Sequence, residues 1–169
     1  MDGSPDLHVI FGWLEVGEIL PVTTARRECL IRHPWIADHP HVARPEHDAD
    51  PGNTLYLSSE RSRYAEGSCF GAGRFSRFLD ALCLTGKGQR RSVWSLPRWF
   101  LPAAGRPPLS YHRRPERGST TQEGAVLQTV GRGQEFVLDV DVYPEAEAWI
   151  AAVVRSGLSW RKGKAIRFR

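Results

Sequence analysis

The sequence has few cysteines, no long apolar run and none of the common phosphate-binding loops. It has three cysteines, an odd number with no CxxC pair, and no signal peptide precedes them, so we predict reduced thiols in a cytoplasmic protein. No segment approaches the ~18 to 20 apolar residues of a membrane span, which argues against a membrane partner. The glycine-rich stretch from Phe70 to Phe75 lacks both the full GxGxxG spacing and a GKS or GKT ending, so it does not qualify as a phosphate loop.

The composition is that of a folded protein with a mild basic excess. Apolar residues make up 41% of the 169 residues, enough to bury a proper core, and no internal repeat has a fixed period. The net charge of +4 suits an acidic partner such as nucleic acid without requiring one. We therefore predict one domain over residues 1–157, followed by a basic tail over residues 158–169 that contains no acidic residue.

The segment from Leu7 to Leu20 predicts a central strand that bends at Gly12 and Gly17. A glycine inside a strand marks a bulge or a point where another backbone comes close, because it has no Cβ. Trp13 lies between the two glycines, and a place in the core is the simpler interpretation of it. Only six residues precede this strand, from which we expect the chain to be a fragment or a short form.

The remaining elements follow from periodicity and from proline and glycine positions. The predicted elements are a short helix with a Thr cap after Pro21, a proline-rich segment over 33–52 without a long helix, a strand over 53–59, an edge strand over 92–100, a polar loop over 118–124, a strand over 134–141, and a helix from the Tyr143–Glu145 turn to about Ser156, capped by Asp141. We predict an α+β fold with a curved, mostly antiparallel sheet, for which a PUA-like barrel is the leading architecture by analogy.

Four of the six histidines lie in the proline-rich segment, at His33, His39, His41 and His47. In an extended chain His39 and His41 would point the same way, so that the two imidazoles could face one metal ion. Zinc or iron would need a third ligand, for which His112 and Glu135 are the candidates. A loop whose histidines bond backbone and water is the favoured alternative, so we predict no metal and identify no cofactor.

A second cluster interleaves arginine with tryptophan along residues 90–114. Indoles that stack on bases, beside guanidinium groups that meet phosphates, are typical of single-stranded nucleic-acid binding. The alternative places the tryptophans in the core, with the arginines exposed to solvent around them. The residues concerned are Arg90, Arg91, Trp94, Arg98, Trp99, Arg113 and Arg114.

Several blocks in the same order resemble the family called nucleotide modification associated domain 3, over residues 7 to about 155. The blocks are FGWLEVGEI, PWIADHPHV, NTLYLSS, the GAGRF turn, RSVWSLPRWF followed by LSYH, and GQEFVLDVDVYPEAEAW. The resemblance implies an α+β domain that acts on, or reads, a nucleotide or a base in DNA, and it implies other DNA-modification enzymes as partners. Family members have a considerable region before the first block that this sequence lacks. If catalytic groups lie in that region, we expect this form to be inactive or to need a partner.

The sequence leaves open whether the chain is an enzyme. One hypothesis is a domain that handles a nucleotide or modified base, with proton transfer by histidine and Glu135, base-edge recognition by Asn53 and stacking by tryptophan. The others are a non-catalytic nucleic-acid reader and a protein–protein adaptor. The predicted catalytic residues are His39, His41, His112 and Glu135, and the predicted nucleotide-binding residues are Trp13, Glu15, Asn53, Arg91, Trp94, Trp99 and Arg114.

Overall fold

The structure is a computed structural model that describes residues 6–64, 70–101, 106–107, 114–132 and 135–158. The chain forms two compact units. One is continuous and comprises residues 13–73, and we call it the continuous unit. The other comprises residues 1–12 and 74–169, and we call it the split unit. The single domain over 1–157 stays a prediction, and the tail from residue 159 onward lies outside the described residues.

The continuous unit contains four strands and two α-helices among its described residues. These are β1 (Gly12–Leu14), β2 (Val16–Pro21), α1 (Val22–Arg32), α2 (Pro40–Ala43), β3 (Thr54–Ser58) and β4 (Ala72–Arg74), with 3-10 turns over Pro34–Asp38 and Pro45–His47. β1 pairs with β4, while β2 pairs antiparallel with β3. The β2–β3 pair packs its inner face, which includes Leu20 and Leu55, against α1. The buried core of this unit is formed by Leu20, Val22, Cys29, Ile36, Val42 and Leu55.

The bend predicted at Gly17 is confirmed, whereas Gly12 is the first residue of β1, and the single strand predicted over residues 7–20 is divided into two short strands. The chain leaves β1 at Leu14 and enters β2 at Val16, and the register with β3 shifts between Val16 and Glu18. A Cβ on Gly17 would lie 2.7 Å from the Cα of Ser59, so the missing side chain permits the close approach of two backbones. A bulge and a close approach therefore coincide at Gly17.

The helix after β2 is longer than the short helix that was predicted. The proline-rich segment after it contains no long helix, as predicted. α1 has eleven residues, begins at Val22 directly after Pro21, and has no side-chain cap, so the predicted Thr cap is wrong. The proline-rich segment forms only short helical turns, because prolines at 34, 40 and 45 each begin a new one.

The split unit contains a three-stranded antiparallel sheet and the longest described helix. β5 (Val93–Leu96), β6 (Gly118–Thr120) and β7 (Ala125–Gln128) lie in the order β5-β7-β6, and α3 spans Pro144–Leu158. β5 lies at one end of the strand order and is followed by Pro97. Its other side is not a free edge as predicted, because Ser95 N–H donates to the Leu84 carbonyl and Gly86 N–H donates to the Val93 carbonyl, both at 2.9 Å. The buried core comprises Leu84, Trp94, Leu96, Phe100, Leu127, Tyr143 and Ala146.

Three other predictions for the split unit are wrong. A polar loop was predicted over residues 118–124, but residues 118–120 form β6, which pairs with β7. Residues 135–139 form no strand, although Phe136 and Leu138 pack on the core. α3 begins at Pro144, so Asp141 is too far from it to cap it, and the helix continues through Gly157.

The α+β class is confirmed. The strands among the described residues form three separate sheets, and none of these closes into a barrel. No helix in the described part of the chain is long and apolar enough to span a bilayer.

Candidate functional site

The predicted site residues divide between the two units. Trp13, Glu15, His39, His41 and Asn53 belong to the continuous unit. The split unit contains Arg91, Trp94, Trp99, Arg114 and Glu135, whereas His112 lies outside the described residues. Two local clusters therefore have to be considered, each within its own unit.

Trp13 and Glu15 are both held against the backbone of the continuous unit. The Glu15 side chain is only 9% exposed, and its carboxylate accepts hydrogen bonds from Nε of Arg63 at 2.7 Å and from the Arg63 backbone N–H at 2.9 Å. Trp13 packs on Gly73, where an added Cβ would meet the indole nitrogen at 3.0 Å. Its buried Nε1 has no hydrogen-bond partner among the described residues. The carboxylate of Glu15 is thus occupied within the fold.

The Asn53 side chain forms hydrogen bonds that connect His41 and His47. The residue is 3% exposed, and its Nδ2 donates to the carbonyl oxygens of His41 at 2.8 Å and of His47 at 3.3 Å. Its Oδ1 lies 2.9 Å from Nδ1 of His41. Carbonyl oxygens only accept, so the amide nitrogen must face them and the amide oxygen must face His41. The side chain predicted to read a base edge is therefore fully used inside the protein.

Hydrogen bonds fix the tautomers of both His41 and His39. Oδ1 of Asn53 only accepts, so Nδ1 of His41 carries a proton, and in the neutral ring Nε2 is bare. His39 has the opposite tautomer, because its Nδ1 accepts a hydrogen bond from the backbone N–H of His41 at 3.2 Å. That hydrogen bond makes His39 the N-cap of α2. The proximity of His39 and His41 thus comes from a helix cap rather than from the extended chain that the sequence predicts.

His47 completes the cluster, which we call the histidine cluster: His39, His41 and His47. The rings of His41 and His47 stack with centroids 4.6 Å apart and planes 4° apart, and the His39 ring centroid lies 5.6 Å from that of His41. Imidazole lone pairs lie in the ring plane, so those of two parallel rings do not converge on one ion. No group of three or more ligating side chains in the described part of the chain is arranged to hold a metal.

The segment that carries these histidines is tied to α1. Arg26 donates from Nη2 to the carbonyl oxygen of Val42 at 2.5 Å and pairs through Nη1 with Asp48 at 2.6 Å. The hydroxyl of Thr23 donates to the carbonyl of Asp50 at 2.7 Å. The histidine cluster therefore stands on a segment held at several points rather than on a loose loop.

Trp94 and Trp99, the tryptophans of the split unit predicted to bind a base, both pack on its core, Trp94 buried and Trp99 partly buried. Trp94 is 1% exposed, and its indole N–H donates to Nδ1 of His8 at 2.8 Å. Trp99 stacks on Phe100 with centroids 4.2 Å apart and meets Trp149 edge-on at 5.8 Å. Trp94 has no exposed face on which a base could stack, so its predicted role does not fit its burial.

The cationic side chains of the split unit are available to solvent. We call residues Gly86–Arg91 the basic turn. Lys87 and Arg90 are exposed and form no ion pair or side-chain hydrogen bond within the described residues. Arg91 pairs with Asp6 at 2.5 Å, while Arg114 is exposed and unpaired among the described residues. Glu135 is exposed as well.

The basic turn is fixed by its own backbone. Gln89 N–H donates to the Gly86 carbonyl at 2.9 Å, and Gly88 has φ of 71°, which a glycine adopts without strain. Val93 N–H donates to the Arg90 carbonyl at 2.9 Å and begins β5. An added Cβ on Gly131 would lie 3.3 Å from Nη2 of Arg91, which brings the adjacent, exposed Arg132 to the same end of the unit.

Three titratable groups outside the two clusters have shifted pKa values. Burial raises the pKa of Glu18, but hydrogen bonds from Arg32 and His33 outweigh it, and the net pKa is lowered. A hydrogen bond from its own backbone N–H and the Arg106 guanidinium lower the pKa of Glu145. Burial raises the pKa of the Tyr143 phenol.

The predicted site residues omit His47, Lys87 and Arg132. His47 was visible as one of four histidines in a short segment, and Lys87 as part of a basic turn rich in glycine. Arg132 stands between two glycines, far from the other cations in sequence, and only the fold brings its loop beside Arg91.

The comparisons with known proteins identify the family. The family model described as nucleotide modification associated domain 3 matches residues 1–139 of this chain. No curated protein and no solved structure gives a match. Because the matched residues make up most of the chain, the chain belongs to this family.

Proposed function

We propose that this member of the nucleotide modification associated domain 3 family binds a nucleotide or DNA through phosphate contacts at the basic turn. The observation that carries the proposal is the pair of exposed cations, Lys87 and Arg90, that have no ionic partner among the described residues. The family description supports a nucleotide-related role, and the position of the cations on a fixed turn supports the choice of site.

Unpaired cations on a fixed turn favour phosphate binding for two reasons. A guanidinium or ammonium group that already pairs with a carboxylate has to break that pair before it meets a phosphate, whereas Lys87 and Arg90 do not. The turn is held by backbone hydrogen bonds on both sides, so little backbone conformational entropy is lost when a ligand binds.

Arg91 and Arg132 add to the positive field at this end of the split unit, although Asp6 already neutralises part of the charge of Arg91. Arg114 remains a predicted contact.

The salt dependence of binding tests the proposal. Each phosphate contact that is lost should lower the slope of log affinity against log salt by about 0.7 to 0.9. Lys87→Ala and Arg90→Ala should each flatten the slope by about that amount, for single-stranded and duplex DNA alike. Arg44→Ala is the control, because Arg44 is an exposed arginine of the continuous unit, outside the predicted nucleic-acid cluster, and already pairs with Glu46 at 3.9 Å. An unchanged slope in the Lys87/Arg90 double variant would overturn the proposal.

The alternative functions give different results in the same experiments. A non-catalytic reader binds DNA and leaves the mass of every base unchanged, whereas an enzyme changes the mass of a base or nucleotide after incubation. A protein–protein adaptor shows neither binding nor a mass change. Removal of residues 159–169 tests the basic tail separately, and binding lost only in that variant would move the nucleic-acid contact away from the basic turn.

A further inference from the structure

We infer that His41 is a proton-accepting residue, and that the histidine cluster is a second site at which a hydroxyl or amine group of a substrate loses its proton. The inference concerns the continuous unit and does not depend on phosphate binding at the basic turn. It differs from the sequence-based hypothesis in the role of Asn53, which orients the histidine instead of contacting a base.

The reasoning starts from the hydrogen bonds of Asn53. Its amide nitrogen is held by the carbonyl oxygens of His41 and His47, so its Oδ1 can only accept the proton on Nδ1 of His41. The neutral imidazole then presents a bare Nε2. His41 is exposed, and its Nε2 has no hydrogen-bond partner among the described residues, so the lone pair faces solvent.

An orienting partner on one ring nitrogen is the usual requirement for a histidine base. In Cys–His–Asn sites, as in Ser–His–Asp sites, a third side chain holds the imidazole in one tautomer while the other nitrogen moves the proton. Asn53 is suited to this role because it is buried and itself held by two carbonyls, which prevents rotation of the amide.

The proton transfer balances within the residues present. A substrate O–H or N–H bond breaks, its electron pair stays on the oxygen or nitrogen, and the proton moves to Nε2 of His41. The resulting imidazolium keeps its Nδ1–H hydrogen bond to Oδ1 of Asn53. The proton then leaves to bulk water, which the exposed ring contacts directly.

His39 is the internal control. It lies beside His41, but its unprotonated nitrogen is already engaged by the backbone N–H of His41. A proton or an electrophile can reach Nδ1 of His39 only after the helix cap is broken. The two neighbouring rings should therefore differ in reactivity even though they share one surface.

Long-range ¹⁵N NMR of the unmodified protein tests the tautomers directly. We expect His41 with its proton on Nδ1 and His39 with its proton on Nε2. A His41 ring with its proton on Nε2, or with the two tautomers averaged, would overturn the inference. This measurement needs no variant and therefore cannot fail because a variant does not fold.

Diethyl pyrocarbonate, which acylates unprotonated imidazole nitrogen, tests reactivity with site resolution by mass spectrometry. His41 should react faster than His39 by roughly two- to tenfold, the factor that one net hydrogen bond represents. Equal rates, or a faster His39, would contradict the assignment.

Hydrolysis of p-nitrophenyl acetate extends the test to turnover. Nε2 attacks the ester carbonyl, p-nitrophenolate leaves, and water hydrolyses the acetylimidazole. His41→Gln should lose the protein-dependent rate, whereas His33→Gln should keep it, because Nε2 of His33 already pairs with a carboxylate oxygen of Glu18 at 2.9 Å. Equal losses in both variants would show that the two rings act without distinction and would refute the proposed role of His41.

Discussion

Replacing Asn53 by alanine should destabilise the continuous unit by about 3 kcal/mol. The amide makes three side-chain hydrogen bonds, to the two carbonyls of His41 and His47 and to the His41 ring, and a net hydrogen bond contributes about 1 kcal/mol. Because Asn53 is 3% exposed, water does not readily reach the groups left behind, so their desolvation is not compensated.

The assay must report on each unit separately, since two compact units need not unfold together. Hydrogen exchange in increasing urea, followed at the amides of α1 and β3, measures the free energy of opening of the continuous unit. Exchange in β5 and β7 reports on the split unit and should not change.

Gln128→Ala is the matched control. Its amide nitrogen, which has two N–H donors, also lies within hydrogen-bond distance of three acceptors in Ser92 and Thr129, at 2.9 to 3.3 Å, but its side chain is exposed. Water replaces such bonds, so the loss should stay within about 0.5 kcal/mol. If Asn53→Ala costs no more than this control and instead weakens nucleotide binding in a folded protein, the structural role is refuted and the base-reading role predicted from the sequence stands.

Two further predictions concern β2. Gly17→Ala should cost about 1 to 3 kcal/mol, because the new Cβ would lie 2.7 Å from the Cα of Ser59 and two backbones would have to separate; chemical denaturation measures the loss, and a change below about 0.5 kcal/mol would contradict the close approach. Glu18→Gln should flatten the pH dependence of stability in acid. The folded-state pKa of Glu18 lies below its ordinary value of 4.5, so its contribution is present above that pH and is lost as the pH falls through the folded-state pKa. Parallel acid-unfolding curves of variant and parent would show that the ion pairs of Glu18 contribute nothing.

The sequence predicts those elements whose signals are local. The periodicity of α3 and its Pro144 start were visible, and so was the bend at Gly17. The helix cap was misplaced because Asp141 is a good capping residue in general, and only the backbone path shows that the helix starts three residues later.

Pairing between distant segments was less visible. The alternation at Phe136 and Leu138 reports which side chains are buried, but it does not show whether a partner strand lies alongside. β7 was missed although Ala125 and Leu127 alternate with more exposed neighbours, because the strand has only four residues.

For the candidate sites, too, the sequence shows the residue types but not the contacts that they make. The cations of the basic turn and the histidines stand out by residue type, so both clusters could be located from the sequence. The role of Asn53 could not, because a buried amide that holds two carbonyls and an amide that reads a base have the same residue type. Trp94 is a similar case, since a tryptophan in the core and one that stacks on a base give the same local pattern.

The order of synthesis affects the split unit, because residues 13–73 separate its two segments in the chain. Val9 pairs with Cys83, the Ile10 N–H donates to Leu82, and His8 accepts a hydrogen bond from Trp94. During synthesis residues 8–10 emerge before residues 13–73, and their partners emerge only after residues 13–73. All residues of the continuous unit are made before these partners, so we expect this unit to fold first, since compact units generally fold in the order of synthesis. Residues 8–10 therefore wait for partners made 72 to 86 residues later. We expect this long-range closure to slow the folding of the split unit, because contacts between distant residues carry a loop-closure cost.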